Sequence, residues 1–288
     1  MQKINLKGQL KKLFFYISKN NLTWTLINKV LTPITQFHKT AQIYRKSDHI
    51  PGERKFSMAF LEFKNNVYKE LRVLNGPFKG MIYPSAVSIG SSFFPKILGS
   101  YEMEINKFIN FILKQDYVNI IDVGCAEGYY AIGLGMKLKK ANIHAFDIDK
   151  NAQNQCKLMA RANNVDIQVN GLCTKKLLKT LPKDQKSLII LDCEGYEKNL
   201  IDKEVADQNK NNDFLIEAHD FEDISITEHI LYSFGRTHKT EIVESIDDIS
   251  KVYNYKFEEL SGMTLFEKNQ ILAEYRPNIM RWIFAKSF

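Results

Sequence analysis

Residues 119–135 read NIIDVGCAEGYYAIGLG. A largely apolar run ends at Val123 and meets glycines at 124 and 128, and a stretch with helical spacing follows. That order predicts a buried strand, a tight turn and a helix start, the usual place to hold a nucleotide-like ligand. Neither Gly124 nor Gly128 carries a Cβ, so the backbone can come close to a ligand there. The dinucleotide fingerprint, however, runs G-x-G-x-x-G, with a pyrophosphate at the helix N-terminus. Here the spacing is Asp122-x-Gly124-x-x-x-Gly128. A carboxylate stands where the first glycine belongs, and Glu127 adds a second negative charge. Two acids repel a pyrophosphate; they suit a cation or an amino group.

Outward from this stretch the chain alternates regularly. Strands are predicted at 118–123, 142–148, 166–169, 188–191 and 214–218, with helical segments such as 151–163 between some of them. Val-, Ile- and Leu-rich strands separated by helices imply an α/β fold with a parallel sheet covered on both faces. Sites in such sheets form at the carboxyl ends of the strands. The second strand ends at Asp147, followed by Ile148 and Asp149. An acid about 20 residues past the loop can accept both ribose hydroxyls of an adenosine-containing ligand. The third ends at Asn170-Gly171, a turn where adenine can rest. The fourth runs into LIILDCEGYEKNL, with Asp192, Glu194 and Glu197; the fifth into FLIEAHDF, with Glu217, His219 and Asp220. Each has a plainer role by itself. Asp147 can cap the next helix, Asp192 can sit at a helix N-terminus, and His219 can be a structural hydrogen-bonder. Acids at four of five strand ends beside one glycine loop form a joint pattern far less expected by chance.

The bulk numbers bound the rest. With 288 residues, 44% hydrophobic and 25% charged, the chain is long enough for one α/β domain plus an extra segment. Four scattered cysteines (125, 156, 173, 193) form no C-x-x-C pair, which argues against a zinc or disulfide framework and for a reducing, cytoplasmic setting. The net charge of +7 is uneven: residues 1–50 hold nine Lys and Arg against one acid, residues 51–288 hold 31 against 32. A near-neutral body argues against a nucleic-acid groove. Drawn as a helix, the arm MQKINLKGQLKKLFFYISKN places Leu6, Leu10, Leu13, Phe14 and Ile17 on one side. Such a helix packs on its own domain or on a second subunit, which makes a homo-oligomer one expectation. The alternative is peripheral contact of residues 1–20 with an anionic inner membrane face. The arm lacks the features of a secretory signal, and no apolar stretch reaches bilayer-spanning length. Expected divisions are a basic helical extension over 1–65, broken at Pro33 and Pro51, a small strand-and-loop cap over 66–100, and the main domain over 101–288.

DVGCAEGYYAIGLG, the acid of AFDID and IILDCEGYEKNLID together resemble class I S-adenosylmethionine-dependent methyltransferases. The D-x-E-G-x-E form (Asp192, Glu194, Gly195, Glu197) is similar to the FkbM-type branch. The resemblance covers about residues 98–220, and the tail ILAEYRPNIMRWIFAKSF resembles that fold's closing antiparallel strand. Cys125-Ala126 departs from the small polar residues also common there. The resemblance implies a Rossmann-like, mostly parallel seven-stranded sheet with helices on both faces. It implies S-adenosylmethionine as cofactor, its amino-acid end near Asp122, Gly124, Cys125, Ala126, Gly128 and Tyr129 and near Tyr101 or Glu102 of GSYEME. An ordinary helix start capped by Ser100 is the alternative for GSYEME. Asp147 with Ile148, Asn170 with Gly171, and Asp192 complete the expected cofactor set. The implied reaction is O-methylation of a hydroxyl on a sugar, glycan or secondary metabolite, as in polysaccharide or natural-product biosynthesis. Asp192 or His219 would act as base, with Glu194 beside them. The main reading holds no metal; a second scheme has Asp192, Glu217 and His219, with Glu194, hold a divalent cation such as magnesium. Tyr275, Arg276 and an insertion over 246–275 are expected on the acceptor side, or Arg276-Pro277 only sets a turn.

Two other classes stay open. A nicotinamide-dependent oxidoreductase wants the third glycine of its fingerprint, and a short-chain reductase wants Tyr-x-x-x-Lys, which the chain lacks. A non-catalytic relative that binds the cofactor or a partner protein is the other.

Overall fold

β1 (Asn119–Val123) is buried at all five positions and pairs in parallel with β2 (Asn142–Phe146) on one edge and β4 (Ser187–Leu191) on the other. A strand covered on both faces needs apolar side chains on both, and alternate residues supply them. Ile120 packs with Leu188 and Ile190 in one cluster; Ile121 and Val123 pack with Ile189 and Leu191 in the other. The computed structural model describes residues 56–288. Residues 1–55, which include the expected arm helix, Pro33 and Pro51, lie outside them.

β3 (Ile167–Asn170) extends the sheet beyond β2, and β5 (Asp213–Ala218) beyond β4, both in parallel. β7 (Arg281–Ser287) runs antiparallel between β5 and β6 (His238–Glu244). The order is therefore β3-β2-β1-β4-β5-β7-β6, the expected mostly parallel seven-stranded sheet. The chain reverses its direction of travel across the sheet between β1 and β4, which opens a crevice at their carboxyl ends. The five predicted strands match within one or two residues. β6 was not predicted: HKTEIVE is an edge strand with mostly polar, partly exposed side chains, so it carries little apolar alternation.

Helices cover both faces. The first cluster takes buried residues of α1 (Met58–Glu70), α2 (Phe93–Leu98), α3 (Asn106–Ile112), α4 (Tyr129–Lys137) and α5 (Lys150–Ala162). The second takes those of α6 (Lys175–Lys179), α7 (Glu197–Leu200), α8 (Lys203–Gln208) and α9 (Ile226–Phe234). Ser57 caps α1 by accepting from Phe60 N–H, and Phe60, Phe63 and Val67 turn one stripe inward. Ser57–Phe288 form one compact unit. Within the strand-and-loop cap expected over 66–100, the strand pairing is a single antiparallel bridge, Arg72 with Ile82. The 246–275 segment folds as α10 (Asp248–Asn254), a 3-10 turn (Glu258–Leu260) and α11 (Leu265–Leu272). Val252, Leu260, Ile271 and Leu272 bury in the first cluster, so it is part of the core. No helix of the described residues is long and apolar enough to cross a membrane.

Candidate functional site

The β1–α4 loop is shaped by its neighbours. Gly124 has φ +83°, and a Cβ there would lie 1.6 Å from the Asp192 carbonyl oxygen. A Cβ on Gly128 (φ +97°) would meet Cys156 Sγ at 2.9 Å. Both glycines are therefore demanded by close packing, a reason the sequence reading, which gave them to ligand approach, did not see. The loop amides are largely used. Gly124 and Cys125 donate to the Phe146 carbonyl at 2.9 and 3.1 Å, Gly128 to the Cys125 carbonyl at 2.7 Å. Ala126 N–H donates to Asp147 Oδ2 at 2.9 Å, and Ala131 N–H to Asp122 Oδ2 at 3.0 Å. Burial first of all pushes the Asp122 carboxyl up to about 7.

Asp147 also accepts from Asp149 N–H at 2.8 Å, and Asp149, not Asp147, caps α5. Asp147 thus ties the carboxyl end of β2 to the glycine loop. Glu127 corrects the opening expectation. Its carboxylate is 1% exposed, pairs with Lys96 Nζ at 2.6 Å and accepts from Ile89 N–H at 3.0 Å and Ser88 Oγ at 3.1 Å. It is neutralised inside the protein and faces no ligand as a bare charge. Ser100 does not cap the next helical turn; its hydroxyl lies 3.5 Å from the Pro95 carbonyl, and Glu102 is the N-cap residue.

At the strand ends lies a cavity of ≈ 530 Å³. It brings together Tyr101, Asp122, Gly124, Cys125, Ala126, Tyr129, Asp147, Ile148, Gly171, Asp192 and Glu194 from the expected set. Glu102, Gly128 and Asn170 do not line it. Glu102 is fully buried, held by the Tyr130 hydroxyl and by Arg276. Gly128 sits against Cys156, and Asn170 turns its amide to the Gln168 carbonyl at 3.2 Å. His219 lies beneath the cavity, 2% exposed. Sequence reasoning missed Lys96, Tyr130, Phe146 and Tyr196 in the lining. In SSFFPKILGS nothing distinguishes Lys96 from a surface lysine. Among the lining residues it is the one Lys or Arg, and Glu127 holds it.

Below the cavity the charged side chains of β4, β5 and the tail converge. Asp192 and Glu217 bring a carboxyl oxygen each to within 4.8 Å of one another. Burial, the largest cause, pushes Asp192 up to about 7 and Glu217 well above its usual range. His219 Nδ1 lies 2.9 Å from Glu197 Oε1, and its Nε2 faces Asp192, Glu194 and Glu217 oxygens at 3.5, 3.6 and 3.8 Å. Burial lowers the His219 pKa, but the Glu197 contact outweighs it and the net direction is up. Arg276 binds Glu102 and Glu217 and reaches Glu274 with Nε at 2.8 Å. Its guanidinium is thus the counter-charge of the acidic floor as well as a neighbour of a turn; Tyr275 is exposed.

No protein-family model and no curated protein matches the chain. Solved structures of similar fold include a precorrin-6y C5,15-methyltransferase from Geobacter metallireducens, 14% identical over 64% of this chain and 89% of that one, TM-score 0.43. Another is a precorrin 8w decarboxylase from Methanobacterium thermoautotrophicum, 15% identical over the same shares, TM-score 0.43. A third is the bifunctional kinase-methyltransferase WbdD, 15% identical over 64% of this chain and 40% of that one, TM-score 0.40.

Proposed function

We propose that the chain is an S-adenosylmethionine-dependent methyltransferase of FkbM type that methylates a hydroxyl oxygen on a sugar, glycan or secondary metabolite. One observation carries this reading. The glycine-loop amides that would cradle a pyrophosphate already donate to Phe146, Asp147, Cys125 and Asp122. The carboxylates of Asp122, Asp147, Asp192 and Glu194 rim the cavity, and its lone lysine is spent on Glu127. A nicotinamide dinucleotide would meet negative charge and few free donors. A sulfonium with an α-amino group meets the field it needs, and its flat base meets the apolar walls of Phe146, Ile148 and Leu172.

Asp122 and Gly124 would hold the methionine end, with Tyr101 and Tyr129 as its wall; Asp147 would accept the ribose hydroxyls; Gly171 would border the base. When bound, the cofactor supplies an electrophilic methyl carbon and a thioether leaving group. Asp192 would take the acceptor's hydroxyl proton as that oxygen is methylated. Glu217, held by Arg276, lies beneath Asp192. His219, oriented by Glu197, turns Nε2 toward the Asp192 and Glu217 carboxyls.

The test is calorimetric titration with S-adenosylmethionine and S-adenosylhomocysteine, beside NAD. Micromolar binding of the first two and none of NAD is expected. Binding of NAD alone would end this reading. Transfer of labelled methyl to a hydroxylated acceptor separates an enzyme from a binding relative. The membrane role of residues 1–20 falls outside the described residues; equal vesicle binding after their deletion removes it.

A further inference from the structure

The geometry points to a divalent-cation site formed by Asp192, Glu217 and His219. One oxygen of each carboxylate and one ring nitrogen lie within 4.8 Å of one another. Bonds of about 2.1 Å to one ion place neighbouring donors roughly 3 Å apart and opposite ones roughly 4.2 Å apart. The separations from His219 Nε2, 3.5 Å to Asp192 Oδ1 and 3.8 Å to Glu217 Oε2, fall in that span.

A second, independent observation concerns the histidine. His219 is 2% exposed, and its Nδ1 is committed to Glu197 Oε1 at 2.9 Å. Glu197 is in turn 0% exposed and held by the amides of Cys193 at 3.0 Å and Gly195 at 3.3 Å. A carboxylate behind a buried imidazole fixes its tautomer and orientation and strengthens the other nitrogen as a ligand. That other nitrogen, Nε2, makes no hydrogen bond among the described residues and points at the carboxylates. The carboxylates are positioned with equal care. Arg276 occupies Glu217 Oε1, which leaves Oε2 turned to His219. Asp192 and Glu194 belong to the cavity lining, and Glu194 Oε2 stands 3.6 Å from Nε2 as a further oxygen at the mouth.

Two carboxylates with one imidazole suit a borderline ion such as manganese as well as magnesium. Three protein ligands would leave positions of a six-coordinate ion for water or acceptor oxygens. Resting on the methyl-transfer reading, these would take two neighbouring acceptor oxygens, a vicinal diol, and lower the pKa of the hydroxyl to be methylated.

The test needs neither cofactor nor acceptor. Manganese chloride is titrated into the full chain and the free-ion signal followed by electron paramagnetic resonance. One bound ion per chain is expected, weakened at least tenfold in Asp192→Asn and in Glu217→Gln, and roughly tenfold in Glu197→Gln. Circular dichroism checks that each variant is folded. No ion bound by the parent chain, or equal binding by folded Asp192→Asn and Glu217→Gln, overturns the site. Either result leaves the methyl-transfer reading untouched, because that reading is decided by the calorimetric titration with S-adenosylmethionine.

Discussion

Replacing Lys96 by Met isolates what holds the glycine loop against the cavity wall. The methionine keeps most of the side-chain volume and removes the charge 2.6 Å from a Glu127 carboxylate that is 1% exposed. Breaking a buried ion pair from one side leaves an uncompensated charge, at a cost of about 3–5 kcal/mol. Glu127 keeps the Ile89 N–H and Ser88 hydroxyl, so the lower end, about 3 kcal/mol, applies. At this chain length that lowers Tm by roughly 6–12 °C. The pH dependence gives the sharper signature. In the parent protein, burial raises the Glu127 pKa, but Lys96 and the Ile89 N–H outweigh it and hold it below its usual value. A depressed carboxylate stabilises above its unfolded pKa, about 4.3, and loses that stabilisation as pH falls through the folded value. Without Lys96 burial dominates and the folded pKa rises. The group is then tolerated below about pH 4, and its cost builds as pH rises above the unfolded value until pH passes the new folded one. The deficit of Lys96→Met should therefore be largest near pH 7 and shrink toward pH 4. Adding Glu127→Gln should recover most of it at neutral pH. Urea unfolding of the parent, single and double variants at pH 4, 5.5 and 7 reads all three. A deficit below about 1 kcal/mol at pH 7, or one unchanged between pH 4 and 7, would falsify this account of the pair.

Asp192→Asn should leave S-adenosylmethionine affinity near that of the parent and cut turnover by roughly 10²–10⁴. Because the base acts unprotonated, parental activity should rise as pH climbs through about 7, where burial places the Asp192 carboxyl; a flat profile from pH 5.5 to 8.5 rules Asp192 out. Asp147→Ala should weaken cofactor binding about tenfold, near 1.4 kcal/mol by calorimetry, and an unchanged affinity removes its ribose role. Gly124→Ala should cost roughly 2–4 kcal/mol in urea unfolding, since its Cβ must displace the Asp192 carbonyl from a positive-φ position. Gly171→Ala, with nothing within 4 Å of its Cβ, should change stability by less than about 0.5 kcal/mol; equal costs at the two glycines contradict this packing argument.

Much of the fold was legible because it is local. Apolar runs of five or six residues, broken by glycines and helical spacing, marked β1 to β5. The strand ends placed Asp122, Asp147 and Asp192 at the cavity. β7 was legible through the tail's resemblance to a closing antiparallel strand, whereas the polar edge strand β6 was not. Side-chain partners are another matter, because they depend on which distant segments the sheet order brings together. Glu127 reads as a free acid until Lys96, 31 residues earlier, is folded against it. The glycine at 124 reads as space for a ligand until the end of β4 closes on it. Arg276 reads as part of a turn until the antiparallel insertion of β7 brings the segment before it beside β5, where it meets Glu217, 59 residues away. Local periodicity and turn chemistry are written in neighbouring residues, and so the sequence by itself determined the class of fold and the acidic rim. Charge neutralisation arises only when buried groups from separate segments meet in a low dielectric, and so the tertiary structure alone decided that Lys96 neutralises Glu127 and that Arg276 faces Glu102 and Glu217.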